Sequence, residues 1–222
     1  MASLYGLKFW YTRRLACFIH VSIRRRISPD VWTTVGIASG IGAMFAIAAG
    51  WWPLALALVI ARLGGANLDG AVARARGVAR PFGFVLNEVG DRISDFAIMC
   101  GVLWLAIRTE QSNTSVYLAW AAIAAATIPT FTSLSSAGAG GTRFNGGPWG
   151  KTERCAASVI AAAFPQWIGI ISTITIGGSI LTGTIRLVHS YKELKDHTDL
   201  ATANVHAPAT AEPITRIGKD KA

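Results

Sequence analysis

Charge is what this sequence has least of. Asp, Glu, Lys and Arg make up 15% of the 222 residues against 52% hydrophobic, whereas a soluble domain of this size carries about 25% charge. That shortfall excludes a disordered chain and argues against a soluble globular enzyme. Acids are scarcer still, with 12 Asp and Glu facing 21 Lys and Arg. Cysteine is limited to Cys17, Cys100 and Cys155, an odd number without CxxC spacing, so neither a disulfide framework nor a zinc site is expected. His20, His189, His197 and His206 are dispersed, and Ser94, Ser133 and Ser135 have no His and Asp at a recognisable spacing, which leaves out a serine hydrolase. The N-terminus also lacks the unbroken apolar core of a signal peptide, because Arg13 and Arg14 interrupt its first stretch, and it is expected to stay in the mature chain.

Long apolar runs are what the sequence has instead. They extend from Val31 to Gly50, from Leu54 after the Trp51-Trp52-Pro53 turn, from Phe82 through Ile107, from Val116 to Leu134, from Cys155 to Phe164, and from Trp167 to Leu187. The fifth run needs the preceding GPWGKTER residues to reach crossing length. Six crossings of about 20 residues use about 120 of the 222 residues, leaving room for loops and one tail only. Ahead of them, Leu4 to Arg26 mixes apolar and basic residues at helical spacing, the pattern of a helix lying in the membrane interface. The expected fold is therefore an all-α integral membrane protein with six transmembrane helices preceded by an N-terminal interfacial amphipathic helix. Residues 1–30 form that helix, 31–190 the six-helix membrane domain, and 191–222 a disordered cytoplasmic tail rich in Ala, Thr and Pro.

With alternating spans, the N-terminal arginines, Arg74 to Arg80, Arg143 with Lys151, and Lys192 with Lys195 fall on one side, and only Arg108 falls on the other. The positive-inside rule then places both termini in the cytoplasm, and the expected location is a bacterial cytoplasmic (inner) membrane. Because the basic residues track the membrane boundary, the net charge of +9 is matched to an anionic bilayer and not to nucleic acid.

Ionisable groups inside spanning helices cost about 2.5 to 3.5 kcal/mol each, so a cluster of them needs pairing, metal or water. The third run carries such a cluster. At about 100° per residue, with Asp91 at zero, Asn87 falls near −40°, Asp95 near +40° and Glu88 near +60°, so all four share one stripe. Asp69, at the end of the preceding run, is placed to face them across a hairpin. Hard oxygen ligands at this density suit Mg²⁺ or Mn²⁺. The competing possibility is a salt-bridge network with Arg62 and Arg92 that only fixes helix packing. The position of the stripe near the cytoplasmic end, with Arg74, Arg76, Lys151 and Arg154 nearby, favours acids for a metal beside cations for phosphate, the ingredients of phosphoryl transfer.

The segment Asp69-Gly70-Ala71-Val72-Ala73-Arg74, followed after eight residues by Gly83 and then by Asn87 and Asp91, resembles the DxxDGxxAR…GxxxDxxxD signature of the CDP-alcohol phosphatidyltransferases. The resemblance extends to the six spans and cytoplasmic termini and covers most of residues 1–190. It departs at two places: the family's first aspartate falls on Ala66, with Asn67 beside it, and its third on Asn87, leaving Asp69 and Asp91 as the second and fourth. The stretch NEVGDRISD and the later GPWGKTER resemble a divergent bacterial branch of the family, in which Glu88 and Asp95 stand beside the matching positions.

What the resemblance implies is a metal-dependent transfer of a phosphatidyl-type group from a CDP-activated lipid to an alcohol acceptor, with CMP released, in phospholipid biosynthesis. Members hold two divalent ions on four aspartates and use the fourth as base, a role that falls to Asp91. The metal set becomes Asp69, Asp91, Asn87, Glu88 and Asp95, with Mg²⁺ or Mn²⁺ as cofactor. Gly70, Ala73, Arg74 and Gly83 become the nucleotide-binding residues, the glycines for close approach or for helix packing, and Lys151 and Arg154 the acceptor or lipid-phosphate contacts. A homodimer is implied as well. The alternatives are a non-catalytic relative that binds lipid or nucleotide, and a small membrane transporter.

Overall fold

The computed structural model describes residues 15–206, with side chains described through residue 195. Over this range the chain is helix and turn without a strand: α1 (Ala16–Arg24), α2 (Pro29–Ala48), α3 (Trp52–Ala75), α4 (Pro81–Arg108), α5 (Asn113–Ala125), α6 (Ile128–Gly138), α7 (Lys151–Ala163), a 3-10 turn (Pro165–Trp167) and α8 (Ile168–His206).

Local chemistry sets these limits. The Ser28 hydroxyl accepts from the Asp30 amide, and Pro29 fills the first position of α2, where its missing N–H costs nothing. At the far end of α3, Gly77 adopts φ 64°, the Val78 amide donates to Ala73 O (2.9 Å), and the Gly77 amide donates to Arg74 O (3.1 Å). This Schellman turn satisfies the last carbonyls of α3 and points the chain so that Arg80 pairs with Asp30 at the start of α2. The apolar run from Val116 to Leu134 is two helices and not one, because Pro129 lacks an N–H and its ring displaces the carbonyl four residues earlier. Of the GPWGKTER segment only Lys151 onward is helical, which leaves α7 with 13 residues. The last helix passes position 190 and runs to His206, so residues 191–206 are helical where composition predicts a disordered tail. The rest of that tail, and residues 1–14 of the expected interfacial helix, lie outside the described residues.

Four stretches are long and apolar enough to cross a membrane: Pro29–Ala48, Trp52–Ala75, Asn113–Gly138 and Pro165–Lys195. The polarity of the molecule is inverted relative to a soluble fold. Phe45, Ile60, Phe96, Trp104, Phe131 and Leu187 are exposed, whereas Arg62, Asp69, Ser133, Thr182 and Arg186 are buried, an arrangement that apolar lipid tolerates and water would not.

Helix α2 packs along both α3 and α4, α8 packs along α5 and α6, and α7 is wedged against α3 and α4. The core is built of small and branched residues, among them Ala43, Ile47, Ala55, Ile98 and Ala106, which let helix axes approach closely. A close backbone approach is at Gly65, where a Cβ would lie 2.6 Å from Trp32 O and 2.8 Å from Gly36 N. Backbone cannot move aside as a side-chain tip can. At the opposite end of the bundle from Asp69 and Asp91, Arg108 donates to Ala48 O (2.8 Å) and so completes the C-terminus of α2. Gly65→Ala is expected to destabilise the protein by about 1 to 3 kcal/mol, seen as a lower melting temperature in detergent. Gly177→Ala, where nothing lies within 4 Å of the new methyl, should leave the melting temperature unchanged.

Candidate functional site

The first turns of α2 and α4, the last turns of α3, and the start of α7 meet at one end of the bundle, and the chemistry is concentrated there. Asp69, on α3, is 4% exposed. Its Oδ2 accepts from the Thr33 hydroxyl of α2 (3.0 Å) and its Oδ1 from the Gly70 amide (2.5 Å). Asp91, on α4, accepts from Lys151 Nζ at 2.6 Å, and its other oxygen lies 3.7 Å from Arg62 Nη2. The same Arg62 nitrogen donates to the Asp91 carbonyl (3.2 Å).

The remaining acids of the stripe are engaged by guanidinium groups. Glu88 pairs with Arg143 of the loop before α7 and lies 3.8 Å from Arg92. Asp95 accepts from Arg154 at 2.5 Å, with Arg92 at 3.7 Å. Arg154 is itself 3% exposed, so this is a buried pair whose halves depend on each other.

Two cavities flank these residues. One, of about 510 Å³, is lined by Asp69, Gly70, Ala73, Arg74, Gly83 and Asn87, with Arg26, Arg76 and Arg80 on its basic side. Around Gly70 and Gly83 the nearest atoms to an added Cβ belong to Arg74 (3.1 Å) and Arg80 (3.3 Å), not to a neighbouring helix. These glycines seat arginine side chains at the cavity wall. The other cavity, of about 620 Å³, contains Asn87, Glu88, Asp91 and Lys151 and is walled by Arg92, Arg143, Arg154 and Arg186. Asn87 lines both cavities, which meet at that residue.

The sequence-predicted residues thus divide into groups. Gly70, Ala73, Arg74 and Gly83 share the first cavity with Asp69, whereas Lys151 and Arg154 share the second with Asp91. Thr33, Arg143 and Arg186 are added by the structure. Arg186 donates to Pro129 O (2.7 Å), Asn145 O (3.0 Å) and Gly146 O (2.9 Å), and thereby fastens the loop before α7 to α6 and α8. Nothing in the sequence distinguishes Thr33, while Arg143 and Arg186 look like ordinary membrane-boundary cations. Arg62 did carry a signal, as a single charge inside the apolar run LALALVIARLGGAN.

Residues 26–185 match the family model of the CDP-alcohol phosphatidyltransferases. The chain belongs to that family. A phosphatidylinositol phosphate synthase of Mycolicibacterium smegmatis is 28% identical over 205 residues, covering 86% of this chain and 90% of the relative. The Escherichia coli inner membrane protein YnbA is 31% identical over 105 residues, 46% of this chain and 49% of its own length. The crystal structure of Mycobacterium tuberculosis phosphatidylinositol phosphate synthase with CDP-DAG bound superposes with a TM-score of 0.67 at 25% identity, covering 81% of this chain and 94% of the other. The same enzyme in complex with manganese and citrate gives a TM-score of 0.65 at 25% identity, covering 78% and 87%.

This CDP-alcohol phosphatidyltransferase is thus a transferase of phospholipid biosynthesis that moves a phosphatidyl-type group from a CDP-activated lipid to an alcohol with release of CMP. The Mycobacterium tuberculosis relative was solved with a divalent metal ion, manganese. Asp69, Asp91 and the Asn87 amide oxygen are hard donors that could hold one such ion, which takes one or two carboxylates and completes its shell with water and substrate phosphate. Among the described residues no group of three or more His, Cys, Asp or Glu converges. The buried Asp95–Arg154 pair gives a test of what paired charge contributes to stability. Asp95→Asn is expected to cost about 3 to 5 kcal/mol by stranding the buried guanidinium, measured by thermal unfolding, and Asp95→Leu combined with Arg154→Met should recover most of that loss.

Proposed function

We propose that the two cavities are the donor and acceptor sites of the transfer and that Asp91, at their junction, is the catalytic base. The observation that carries this is the sharing of Asn87 by the two cavities, with Asp69 on one side and Asp91 on the other. The cytidine diphosphate part of the donor lies along Gly70, Ala73 and Gly83, with Arg74 on its phosphates. Asp69, Asp91 and Asn87 would hold the divalent ion, which supplies charge stabilisation at the phosphates. Glu88 and Asp95 we assign to charge pairing, because an arginine already holds one oxygen of each.

The acceptor hydroxyl attacks the phosphorus bonded to the lipid, the bond from that phosphorus to the oxygen bridging to the CMP phosphate breaks, CMP departs, and Asp91 takes the hydroxyl proton. Before the donor binds, Lys151 donates to Asp91 and holds its carboxylate at the wall of the second cavity. The second cavity is lined by five cations, of which Arg186 has no carboxylate within ion-pair distance among the described residues. This excess of positive charge supports a phosphorylated polyol as acceptor, in line with the phosphatidylinositol phosphate synthases among the relatives.

Purified protein in lipid nanodiscs with CDP-diacylglycerol and Mn²⁺ is expected to release CMP when inositol phosphate is supplied. Asp91→Asn and Asp69→Asn should each lower the rate by about 100-fold or more. Release driven only by glycerol phosphate, serine or a second CDP-lipid would replace the acceptor. Retention of CDP-lipid without CMP release under any condition would make the chain a binding protein.

We also propose six spans, formed by α2, α3, α4, α5 with α6, α7, and α8, in the cytoplasmic membrane with both ends of the chain inside and α1 as part of an interfacial helix. The 28 residues of α4 reach about 42 Å, enough to cross, and its charges are compensated within the bundle. Lysines and arginines at the α3–α4 and α6–α7 connections support the orientation. Family membership supports a homodimer. In a variant without native cysteines, Gln111→Cys is expected to react with an impermeant maleimide in intact cells, and Ala139→Cys only after lysis. The reverse pattern would invert the topology.

A further inference from the structure

Asp69 and Asp91 bring two negative charges to the junction, and Arg62 and Lys151 bring two positive ones. Lys151 Nζ occupies Asp91 Oδ2 at 2.6 Å, and Arg62, 1% exposed, stands against the other oxygen at 3.7 Å. These four side chains therefore balance one another, while the cavity walls around them carry further cations. Between Arg62, Ala66, Asn87 and Asp91 lies a void of about 10 Å³, the room of one water-sized atom. Arg62 Nε and Nη1 have no hydrogen-bond partner among the described residues. Buried N–H groups beside a void favour an oxygen acceptor there and repel a cation. Ala66 contributes only a methyl group on that side, so the void has no carboxylate from α3 to hold a metal.

Building on the assignment of Asp69, Asp91 and Asn87 as ligands, we propose that Arg62 and Lys151 do the work of one divalent ion. The site holds a single Mg²⁺ or Mn²⁺, and that ion arrives together with the donor's diphosphate. The physical reason is charge. A divalent ion added to a balanced, largely buried cluster leaves two uncompensated positive charges, and the diphosphate of a CDP-lipid supplies the missing negative ones. Lys151 then exchanges Asp91 for a phosphate oxygen, Asp91 turns to the ion, and the free N–H groups of Arg62 receive another phosphate oxygen. The two cations thereby neutralise charge that a second metal ion would otherwise carry.

The test counts ions, not turnovers. Wild-type protein in nanodiscs is titrated with Mn²⁺, free ion is followed by electron paramagnetic resonance, and retention of radiolabelled CDP-diacylglycerol is measured on the same samples. One Mn²⁺ per chain is expected with the donor bound, with affinity at least about tenfold weaker without it. Lys151→Gln, which frees Asp91, is expected to tighten donor-free Mn²⁺ binding by about tenfold. Two ions per chain, no ion in the presence of bound donor, equal affinity with and without donor, or an unchanged Lys151→Gln variant would each overturn the proposal while leaving the donor cavity intact. Failure to retain the donor at all would remove the donor-site assignment and this proposal with it.

Discussion

Each acid on α4 is met by a cation delivered from another part of the chain, and the arrangement of the bundle depends on that pairing. Glu88 is met by Arg143, Asp91 by Lys151 and Arg62, and Asp95 by Arg154. Unpaired charges in this environment would cost several kcal/mol apiece, so the register of α7 against α4 is fixed at two successive turns. Lys151 and Arg154 climb α7 in the same sense as Asp91 and Asp95 climb α4, which defines a parallel neighbour. The 13 residues of α7 are thus held by ionic rungs as well as by the small apolar residues beneath them.

The same pairing explains how polar chemistry survives in a fold that exposes its large apolar side chains. The acids are not scattered among the spans but gathered where α2, α3 and α4 begin or end. There Thr33 and the Gly70 amide satisfy Asp69, and the Gly77 turn brings Arg80 back over Asp30. At the other end the charge of Arg108 is spent on the last carbonyl of α2. The two cavities and their arginines lie at one end of the bundle, and Arg108 caps a helix at the other.

Much of this was legible from residue order because it is local. Apolar runs mark helices, the DGxxAR segment marks the α3 terminus, and 100° steps put Asn87, Asp91 and Asp95 on one stripe. What escaped depends on long-range partners or on helix continuity. Arg143 and Arg186 are the same residue types as membrane-boundary anchors, and only the folded loop shows that one binds Glu88 and the other three backbone carbonyls. Thr33 has no pattern at all. The apolar run around Pro129 conceals a break, because hydropathy does not register a missing N–H. The extension of α8 to His206 is not visible in polar composition, because a helix already formed upstream carries on into residues that would not start one. Residues such as Glu193, Leu194 and Lys195 are good helix formers, and adding them to an existing helix needs no new nucleus.

The two cavities differ in how much of the chain they draw on. Every residue lining the first lies between Arg26 and Asn87, whereas the second requires Asp91, Lys151 and finally Arg186. During synthesis the first cavity can therefore assemble once the third long helix has left the ribosome. The wall of the second cavity must wait for the last helix, whose arginine ties down a loop made about forty residues earlier. A chain halted partway would hold the first cavity facing an unfinished second one, so biogenesis itself separates the completion of the two.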